Sequence, residues 1–262
     1  MFKSAMTLVN LRSHAVATLG DLLTSLCRGG TQLLAPATCC LCQGGGQQAC
    51  GLWGLDLCEH CAAACPPVPH ACPRCASSLA PGGACAACTV YPPPFDATFA
   101  VSAYEHPVDH LVRELKFRNA LPHARVLGML LAQRRQAAPA ALPDCVVPIP
   151  LHRDRYIQRG FNQAEEIARH AARRLGLPLR SRLLQRTRAT PEQSGLPATA
   201  RRQNLHGAFT VTARLAGRQV ALVDDVLTTG STAAEAARTL KAAGAARVEV
   251  WVAARALEAT PI

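Results

Sequence analysis

Residues 218–232 read R-Q-V-A-L-V-D-D-V-L-T-T-G-S-T, and this stretch decides the fold. Residues 220–223 form a short apolar run rich in β-branched side chains, which is typical of a strand buried on both faces of a parallel sheet. Two carboxylates follow, then a glycine loop rich in hydroxyl groups, and then an alanine-rich stretch, residues 233–243, with helical character. This order places the loop between the carboxyl end of a strand and the amino end of a helix, where α/β proteins bind phosphate groups.

The loop suits a phosphate, and the two acids suit a sugar. Free amide N–H groups and the positive end of the helix dipole favour a dianionic phosphate, and Gly230 lets the backbone come close to it. Asp224 and Asp225 would repel a phosphate, so we expect them to accept hydrogen bonds from adjacent hydroxyl groups. The alternative is that the acids merely end a strand while Thr229 or Ser231 caps a helix. The complete string favours a site for a sugar phosphate.

The same string resembles the motif by which type I phosphoribosyltransferases bind phosphoribosyl pyrophosphate (PRPP). In that family two acidic residues hold the ribose hydroxyls and a T-G-x-T loop holds the 5′-phosphate. The resemblance also implies Mg²⁺, held largely by oxygen atoms of the ligand. Thr228 stands where the 6-oxopurine salvage enzymes carry Asp, which argues against that class of acceptor. The resemblance implies a catalytic position for Asp224 and Asp225, and PRPP binding by Asp224, Asp225, Val226, Leu227, Thr228, Thr229, Gly230, Ser231 and Thr232.

Length, composition and charge limit the class of protein. The 262 residues are 49% hydrophobic and 17% charged, which predicts a globular chain with one sizeable core and a smaller module. The 28 basic and 17 acidic residues give a net charge of +11. This charge favours anionic partners, either a phosphorylated small molecule or a nucleic acid, although a solvated basic surface is an equal alternative. No secretory or membrane-spanning run is visible, so we expect a cytoplasmic protein with no membrane span.

The cysteines indicate bound metal. Four C-x-x-C pairs lie between residues 39 and 88, and each such turn directs two thiolates at one tetrahedral ion. So short a region, poor in aromatic residues, is expected to gain its folding energy from structural Zn²⁺. Sequential pairing is the simplest, while interleaved pairing, one empty site and reduced free thiols stay open. The predicted ligands are Cys39, Cys42, Cys58 and Cys61 for one ion, and Cys72, Cys75, Cys85 and Cys88 for the other.

The Y-P-P-P run at residues 91–94 is a stiff, extended break that predicts a domain boundary. It defines an N-terminal extension with a short helix, residues 1–37, a double zinc ribbon, residues 38–90, and an α/β domain, residues 95–262. In the α/β domain we expect strands over 97–104, 144–149 and 247–254, and helices over 106–117, 124–136 and 162–175. Strands that alternate with helices imply a mostly parallel sheet flanked by helices.

Two arginine-containing segments complete the predicted site. Residues 148–163 follow a strand end and are predicted as a loop, in which Arg153, Arg155 and Arg159 grip a pyrophosphate through their planar guanidinium groups. The stretch that begins at Arg186 and continues to residue 207 is polar and lacks periodicity. Such a stretch predicts a lid, from which Arg186 and Arg188 would close over PRPP.

Taken in order, these segments resemble the ComF family of double-zinc-ribbon, phosphoribosyltransferase-like proteins. The four cysteine pairs are followed by Y-P-P-P-F-D, E-L-K-F-R (114–118), R-G-F-N-Q (159–163), R-T-R-A-T-P-E-Q (186–193), N-L-H-G-A-F (204–209) and the acidic motif. The resemblance implies a type I phosphoribosyltransferase fold, a role in natural competence, and single-stranded DNA and other competence proteins as partners. Two functions follow from it. One is a PRPP-binding protein that assists the handling of incoming DNA, and the other is an enzyme that transfers phosphoribosyl to a nucleobase-like acceptor.

Overall fold

The computed structural model describes residues 38–44, 56–65, 67–78, 83–188 and 205–257. The chain divides into two compact units, Met1–Glu59 and His60–Ile262. The helix predicted near the N-terminus and residues 189–204 of the predicted lid lie outside the described residues. The predicted boundaries at residues 37, 90 and 95 stay predictions. In the described part of the chain, no helix combines the length and the apolar character needed to cross a membrane.

The helices and strands that the sequence predicts in the α/β domain are present in the predicted order, together with short elements that it does not predict. Two short helices accompany the cysteines, and the α/β domain begins at β1. In chain order the elements are α1 (Glu59–Ala63), α2 (Ala86–Val90), β1 (Ala97–Ala103), α3 (Val108–Arg118), α4 (Leu121–Gln136), β2 (Cys145–Pro148), α5 (Arg153–Arg159), α6 (Gln163–Leu175), β3 (Leu184–Arg186), β4 (Phe209–Val211), β5 (Gln219–Leu227), α7 (Ser231–Ala242) and β6 (Arg247–Arg255).

Four of these strands form a parallel sheet in the order β1-β6-β5-β2, and β3 pairs with β4 in a separate antiparallel ribbon. The central strands β5 and β6 are buried on both faces, as the apolar run in β5 predicts. Val220 and Leu222 of β5 pack into one core with Ala236 and Leu240 of α7. The predicted fold class, a mostly parallel sheet flanked by helices, is therefore confirmed.

Helices α4 and α6 pack on the sheet and against each other. Helix α4 contacts β1 and α6, and α6 contacts β2 and β5. Gly128 of α4 lies where a Cβ atom would stand 2.6 Å from the carbonyl oxygen of Ile167 in α6. A glycine is needed at this position because the two helices approach each other through their backbones.

The ribbon of β3 and β4 was not predicted, and it places Arg186 on a strand where the sequence predicted the start of a lid. Two further elements differ from the prediction. Strand β5 does not end before the acids but continues to Leu227, because β6 pairs beside it as far as Arg255. The predicted loop over residues 148–163 contains helix α5, which places all three arginines of that segment on a helix. The nitrogen Nδ1 of His152 accepts a hydrogen bond from the amide of Asp154 at the start of α5, and Gly160 ends it in the left-handed region at φ +77°.

Candidate functional site

The loop between β5 and α7 has the shape expected of a phosphate site. Gly230 adopts φ +75° directly before α7, where a residue with a side chain would be strained. The Oγ1 of Thr229 lies 3.0 Å from the Oγ of Ser231 and accepts a hydrogen bond from the Ser231 amide at 3.4 Å. The first amides of α7 have no partner within the helix. The loop thus combines hydroxyl groups, amide donors and the positive end of a helix dipole, and Thr228 and Thr229 are exposed to a ligand.

The two acids lie near the carboxyl end of β5, beside a lysine. The Nζ of Lys116, in α3, is 2.7 Å from the Oδ2 of Asp225, and these side chains are only 21% and 13% exposed. The Oδ1 of Asp224 accepts a hydrogen bond from the Asp225 amide at 2.9 Å. Burial and then the charge of Asp225 raise the pKa of Asp224 to about 7, against the opposing effect of Lys116. Asp224 is therefore harder to ionise than an ordinary aspartate, next to the positive charge of Lys116.

Arg186 lies on the β3–β4 ribbon, within electrostatic range of Asp224. Desolvation and the nearby charge of Arg155 lower the pKa of Arg186, and Asp224 raises it, so this guanidinium lies within electrostatic reach of both residues. Its Cζ atom lies 5.7 Å from the centre of the Phe209 ring on the neighbouring strand. The cation–π interaction with this ring stabilises the charge of the guanidinium group, which burial disfavours. Arg186 thus interacts electrostatically with Asp224 on one side and with Arg155 on the other.

The other three predicted arginines are placed differently. Arg153 is exposed on the first turn of α5. Arg159 donates a hydrogen bond from Nη1 to the Oε1 of Gln163 at 3.2 Å. Arg188 is exposed next to residue 189, where the described part of the segment ends. A role for these three in binding pyrophosphate stays a prediction.

Two of the motifs noted in the sequence hold the segments around the site. In R-G-F-N-Q, Asn162 donates from Nδ2 to the carbonyl of Ile149 at 3.0 Å, and its Oδ1 accepts from the amide of Ala164. Asn162 thereby caps α6 and ties it to the strand end. In N-L-H-G-A-F, the amide of Gly207 donates to the Oε1 of Glu235 on α7 at 2.8 Å. The first motif fixes the entry to α6, and the second fixes the chain after the predicted lid.

The first cysteine set begins with a tight turn. The amide of Cys39 donates to the carbonyl of Gly44, and the sulfur atoms of Cys39, Cys42 and Cys58 lie within 4.8 Å of one another. Burial favours a high pKa for the Cys39 thiol, but hydrogen bonds from backbone amides outweigh it and lower the pKa to about 6. A thiolate is thus favoured at Cys39, as metal binding requires. Cys61, the fourth predicted ligand, is buried in α1.

The second cysteine set, Cys72, Cys75, Cys85 and Cys88, has all four sulfur atoms within 4.8 Å of one another. The sulfurs of Cys75 and Cys85 are 3.6 Å apart. In a tetrahedral zinc site with bonds of about 2.3 Å, neighbouring sulfurs stand about 3.8 Å apart. Backbone amides outweigh burial and lower the pKa of Cys72 to about 7, whereas burial and the adjacent thiols raise that of Cys88. A divalent cation would relieve this crowding of thiolates, so the residues fit Zn²⁺.

One buried arginine connects the second cysteine set to the phosphate loop. Arg255, the last residue of β6, is 8% exposed. It donates from Nε to the carbonyl of Cys75 at 2.9 Å and from Nη2 to the Oγ of Ser77 at 2.8 Å. Its Nη1 donates to the carbonyls of Leu227 at 2.9 Å and Thr228 at 2.6 Å.

A cleft of about 1450 Å³ opens beside the phosphate loop, and the acids are not among its lining residues. Its walls include residues 228–231 of the loop, Cys85 and Cys88, and the polyproline segment. Tyr91, at the start of that segment, is 80% exposed. Arg238 of α7 also lines the cleft and pairs there with Glu235. The cleft gives the phosphate loop an open approach from solvent.

Lys116 and Arg255 are the two residues near the site to which the sequence motifs gave no role. Lys116 stands in the E-L-K-F-R motif, but the sequence alone does not show that Asp225 is its partner. Arg255 had no such signal, because its partners are Cys75, Ser77 and the β5 end, all distant in the chain.

Comparison with solved structures finds proteins of low overall similarity. One is adenine phosphoribosyltransferase from Leishmania donovani, at 19% identity and a TM-score of 0.36, covering 58% of this chain and 69% of that one. Another is the allosteric regulatory enzyme of purine biosynthesis, at 24% identity and a TM-score of 0.33, covering 49% of this chain and 25% of that one. With TM-scores this low, neither carries weight in assigning the family.

Sequence relatives are far more similar. A family model for the phosphoribosyl transferase domain matches residues 162–261. The DNA utilization protein YhgH of Salmonella typhimurium (strain LT2) is 38% identical over 230 residues, which cover 86% of this chain and all of that protein. Competence protein F of Haemophilus influenzae (strain Rd) is 33% identical over 208 residues, which cover 76% of this chain and 90% of that protein. With the parallel sheet, the acidic motif and the two cysteine sets in place, the chain belongs to the ComF family of phosphoribosyltransferase-like proteins.

Proposed function

We propose that this protein binds Mg²⁺–PRPP at the carboxyl end of β5 and works in natural competence, where it assists the handling of single-stranded DNA. One observation carries the proposal. An acid pair suited to ribose hydroxyls and a glycine loop suited to a phosphate lie next to each other, and Lys116 and Arg186 place positive charge beside the acids.

Each part of PRPP has a complementary group in this site. The 5′-phosphate would accept hydrogen bonds from the amides and hydroxyls of residues 228–232. The ribose hydroxyls would donate to Asp224 and Asp225, and the pyrophosphate would lie toward Arg186 and Arg155. Bound Mg²⁺ would neutralise pyrophosphate charge. The acid pair fits its preference for oxygen ligands, although most of its ligands would come from PRPP and water.

The role in competence rests on the family. Relatives that align over most of the chain carry the names DNA utilization protein and competence protein F. The net charge of +11 suits a polyanionic partner, and the exposed Tyr91 beside the phosphate-loop cleft offers a ring on which a base can stack. Other competence proteins are further proposed partners, and the proposed location is the cytoplasm.

The second candidate function is transfer of the phosphoribosyl group to a nucleobase-like acceptor. The electrostatic interaction of Arg186 with both Arg155 and Asp224 favours it, since two guanidinium groups would stabilise the departing pyrophosphate. Catalysis would then consist mainly of positioning the ribose and stabilising its positively charged transition state.

Calorimetric titration of the full chain with PRPP, with and without Mg²⁺, tests the central proposal. We expect saturable binding of one PRPP that depends on Mg²⁺, and an absence of binding would refute it. Pyrophosphate release is then measured with a panel of nucleobases, with single-stranded DNA and with neither. Release that depends on one acceptor would establish the transferase, whereas binding without such release supports the binding protein.

The DNA partner needs a separate measurement. Fluorescence anisotropy of a labelled single-stranded oligonucleotide is followed as salt is raised, with and without Mg²⁺–PRPP. We expect affinity to fall steeply with salt, because binding of a phosphate backbone releases counterions. Affinity that is absent at low salt would mean that the protein serves competence without touching DNA.

A further inference from the structure

We propose that Arg255 is a positioning residue through which the second cysteine set holds the phosphate loop in its binding geometry, so that zinc in this set is required for full PRPP affinity. The inference rests on the proposed function, because PRPP binding is one of its two readouts. The other readout, the rigidity of the loop, needs no ligand.

The start of the phosphate loop is held by Arg255. Strands β5 and β6 remain paired as far as Leu227 and Arg255, so strand pairing stops where the phosphate loop begins. Beyond that point Arg255 continues the support, since its Nη1 donates to the carbonyls of both Leu227 and Thr228. Hydrogen bonds from a guanidinium group are stronger than those between neutral groups. The start of the loop is thus held by a charged side chain.

The side chain of Arg255 is held in turn by the second cysteine set. The other edge of the guanidinium group donates to the carbonyl of Cys75 and to the hydroxyl of Ser77. Cys75 is itself a predicted zinc ligand, and the amide of Cys72 closes the same turn on the carbonyl of Ser77 at 2.8 Å. The position of the guanidinium group therefore follows the geometry of the cysteine turn.

The cysteine turn is also fixed to the sheet, through β1. The amide of Thr98 in β1 donates to the carbonyl of Pro73 at 3.1 Å, and its hydroxyl donates to the carbonyl of Arg74. Carbonyl groups of three successive residues of the turn, 73 to 75, thus accept hydrogen bonds from β1 and β6. Without the ion, the bonds that hold the four sulfurs together are lost, and the turn that carries these acceptors would open. Arg255 would then lose two partners and the loop would lose its support.

Cysteine variants test the role of the metal. In Cys85→Ser we expect the loss of one zinc per chain by elemental analysis and, by calorimetry, PRPP binding that is about tenfold weaker, as for the loss of a charged hydrogen-bond network. Cys40→Ser is the matched control, because Cys40 lies outside the C-x-x-C register. It should keep both the zinc content and the affinity of the unaltered protein. Loss of one zinc in Cys85→Ser with unchanged affinity would overturn the proposal.

Variants of the arginine test the link directly. Arg255→Met removes the bridge, Arg255→Lys keeps the charge but cannot reach both sides, and Arg247→Met at the other end of β6 is the control. Hydrogen exchange of a peptide that covers residues 225–232 should be faster in both Arg255 variants and in Cys85→Ser, and unchanged in the control. Exchange as slow as in the unaltered protein in all three would overturn the proposal. If the unaltered protein binds no PRPP, the proposed function fails, and exchange alone decides the link.

Discussion

On its proposed phosphate side the candidate site is one continuous stretch of chain, residues 228–232, whereas on its proposed pyrophosphate side the charged groups come from three separate elements. The phosphate side is a backbone structure, shaped by Gly230 and the start of α7. The pyrophosphate side is a set of long side chains, with Lys116 from α3, Arg155 from α5 and Arg186 from β3. Backbone sites are fixed by the fold, while side-chain sites depend on which residues pair with which.

This difference predicts how each side responds to substitution. Between the two sides lies the acid pair, which is proposed to hold the ribose, so its removal should have the largest effect. Substitutions on the pyrophosphate side should have graded effects that follow burial and contact with the acids.

Asp225→Asn should cause the largest loss, with PRPP binding about 10- to 100-fold weaker, because hydrogen bonds to a charged group contribute about 1.5–3 kcal/mol. The amide cannot accept from two ribose hydroxyls as the carboxylate does, and the pair with Lys116 is lost. Calorimetry measures the affinity, and zinc content should be unchanged. Asp109→Asn, in the first turn of α3, is the control. Unchanged affinity in Asp225→Asn would show that β5 does not hold the ribose.

Arg186→Gln should weaken PRPP binding about tenfold, because a half-buried guanidinium pairs with phosphate oxygens more strongly than an exposed one. Arg153→Gln removes the same group from an exposed position on α5 and should change affinity less than about twofold. The two are compared by calorimetry at constant salt. Equal losses would mean that α5 and the ribbon contribute alike, and that burial is the wrong guide to this side of the site.

Affinity for PRPP should rise between pH 6 and pH 8 by about five- to tenfold, because Asp224, with its pKa raised to about 7, must lose its proton to accept ribose hydroxyls. Asp225, Lys116 and Arg186 are the charged groups that face it. Asp224→Asn should lose this pH dependence, which separates it from the ionisation of PRPP itself. A slope that persists in Asp224→Asn would contradict the assignment.

The raised pKa of Asp224 also has a defined effect on stability without ligand. An acid that is harder to ionise in the folded state lowers stability as pH rises from about 4, its unfolded pKa, to about 7, and has no further effect above that. Thermal unfolding at pH 8 should therefore show a higher midpoint for Asp224→Asn than for the unaltered protein. A lower midpoint would mean that the carboxylate stabilises the empty site.

Lys116→Met should have a smaller effect than Arg186→Gln, about a threefold loss of PRPP affinity, because its ion pair is not fully buried. The variant should also move the pH dependence upward, since Lys116 lowers the pKa of Asp224. Lys241→Met removes a similar ion pair, with Asp96, and is the matched control. A downward move of the pH curve would contradict the placement of Lys116 beside the acids.

How far the sequence predicted the molecule depends on whether the partners are near in the chain. The phosphate loop and the cysteine turns are each built from neighbouring residues, so their spacing sufficed. The end of β5 was misjudged because pairing with β6, decided by distant residues, carries the strand past Asp224. Helix α5 was missed because its start depends on the His152 cap, and histidine is not a usual capping residue. The contact of Lys116 with Asp225 needs the folded sheet.

The strand order has a consequence for how this chain is made. Strand β1 pairs with β6, and about 150 residues separate the starts of these two strands. At a synthesis rate of about 5–20 residues per second, β1 waits roughly 8–30 s on the ribosome for its neighbour. During that time its backbone donors and acceptors are open to other nascent chains, which is a known route to aggregation. The cysteine turn at residues 72–77 is made before β1 and bonds to Thr98 within it, so early zinc binding would give this strand its first partner while the sheet is still incomplete.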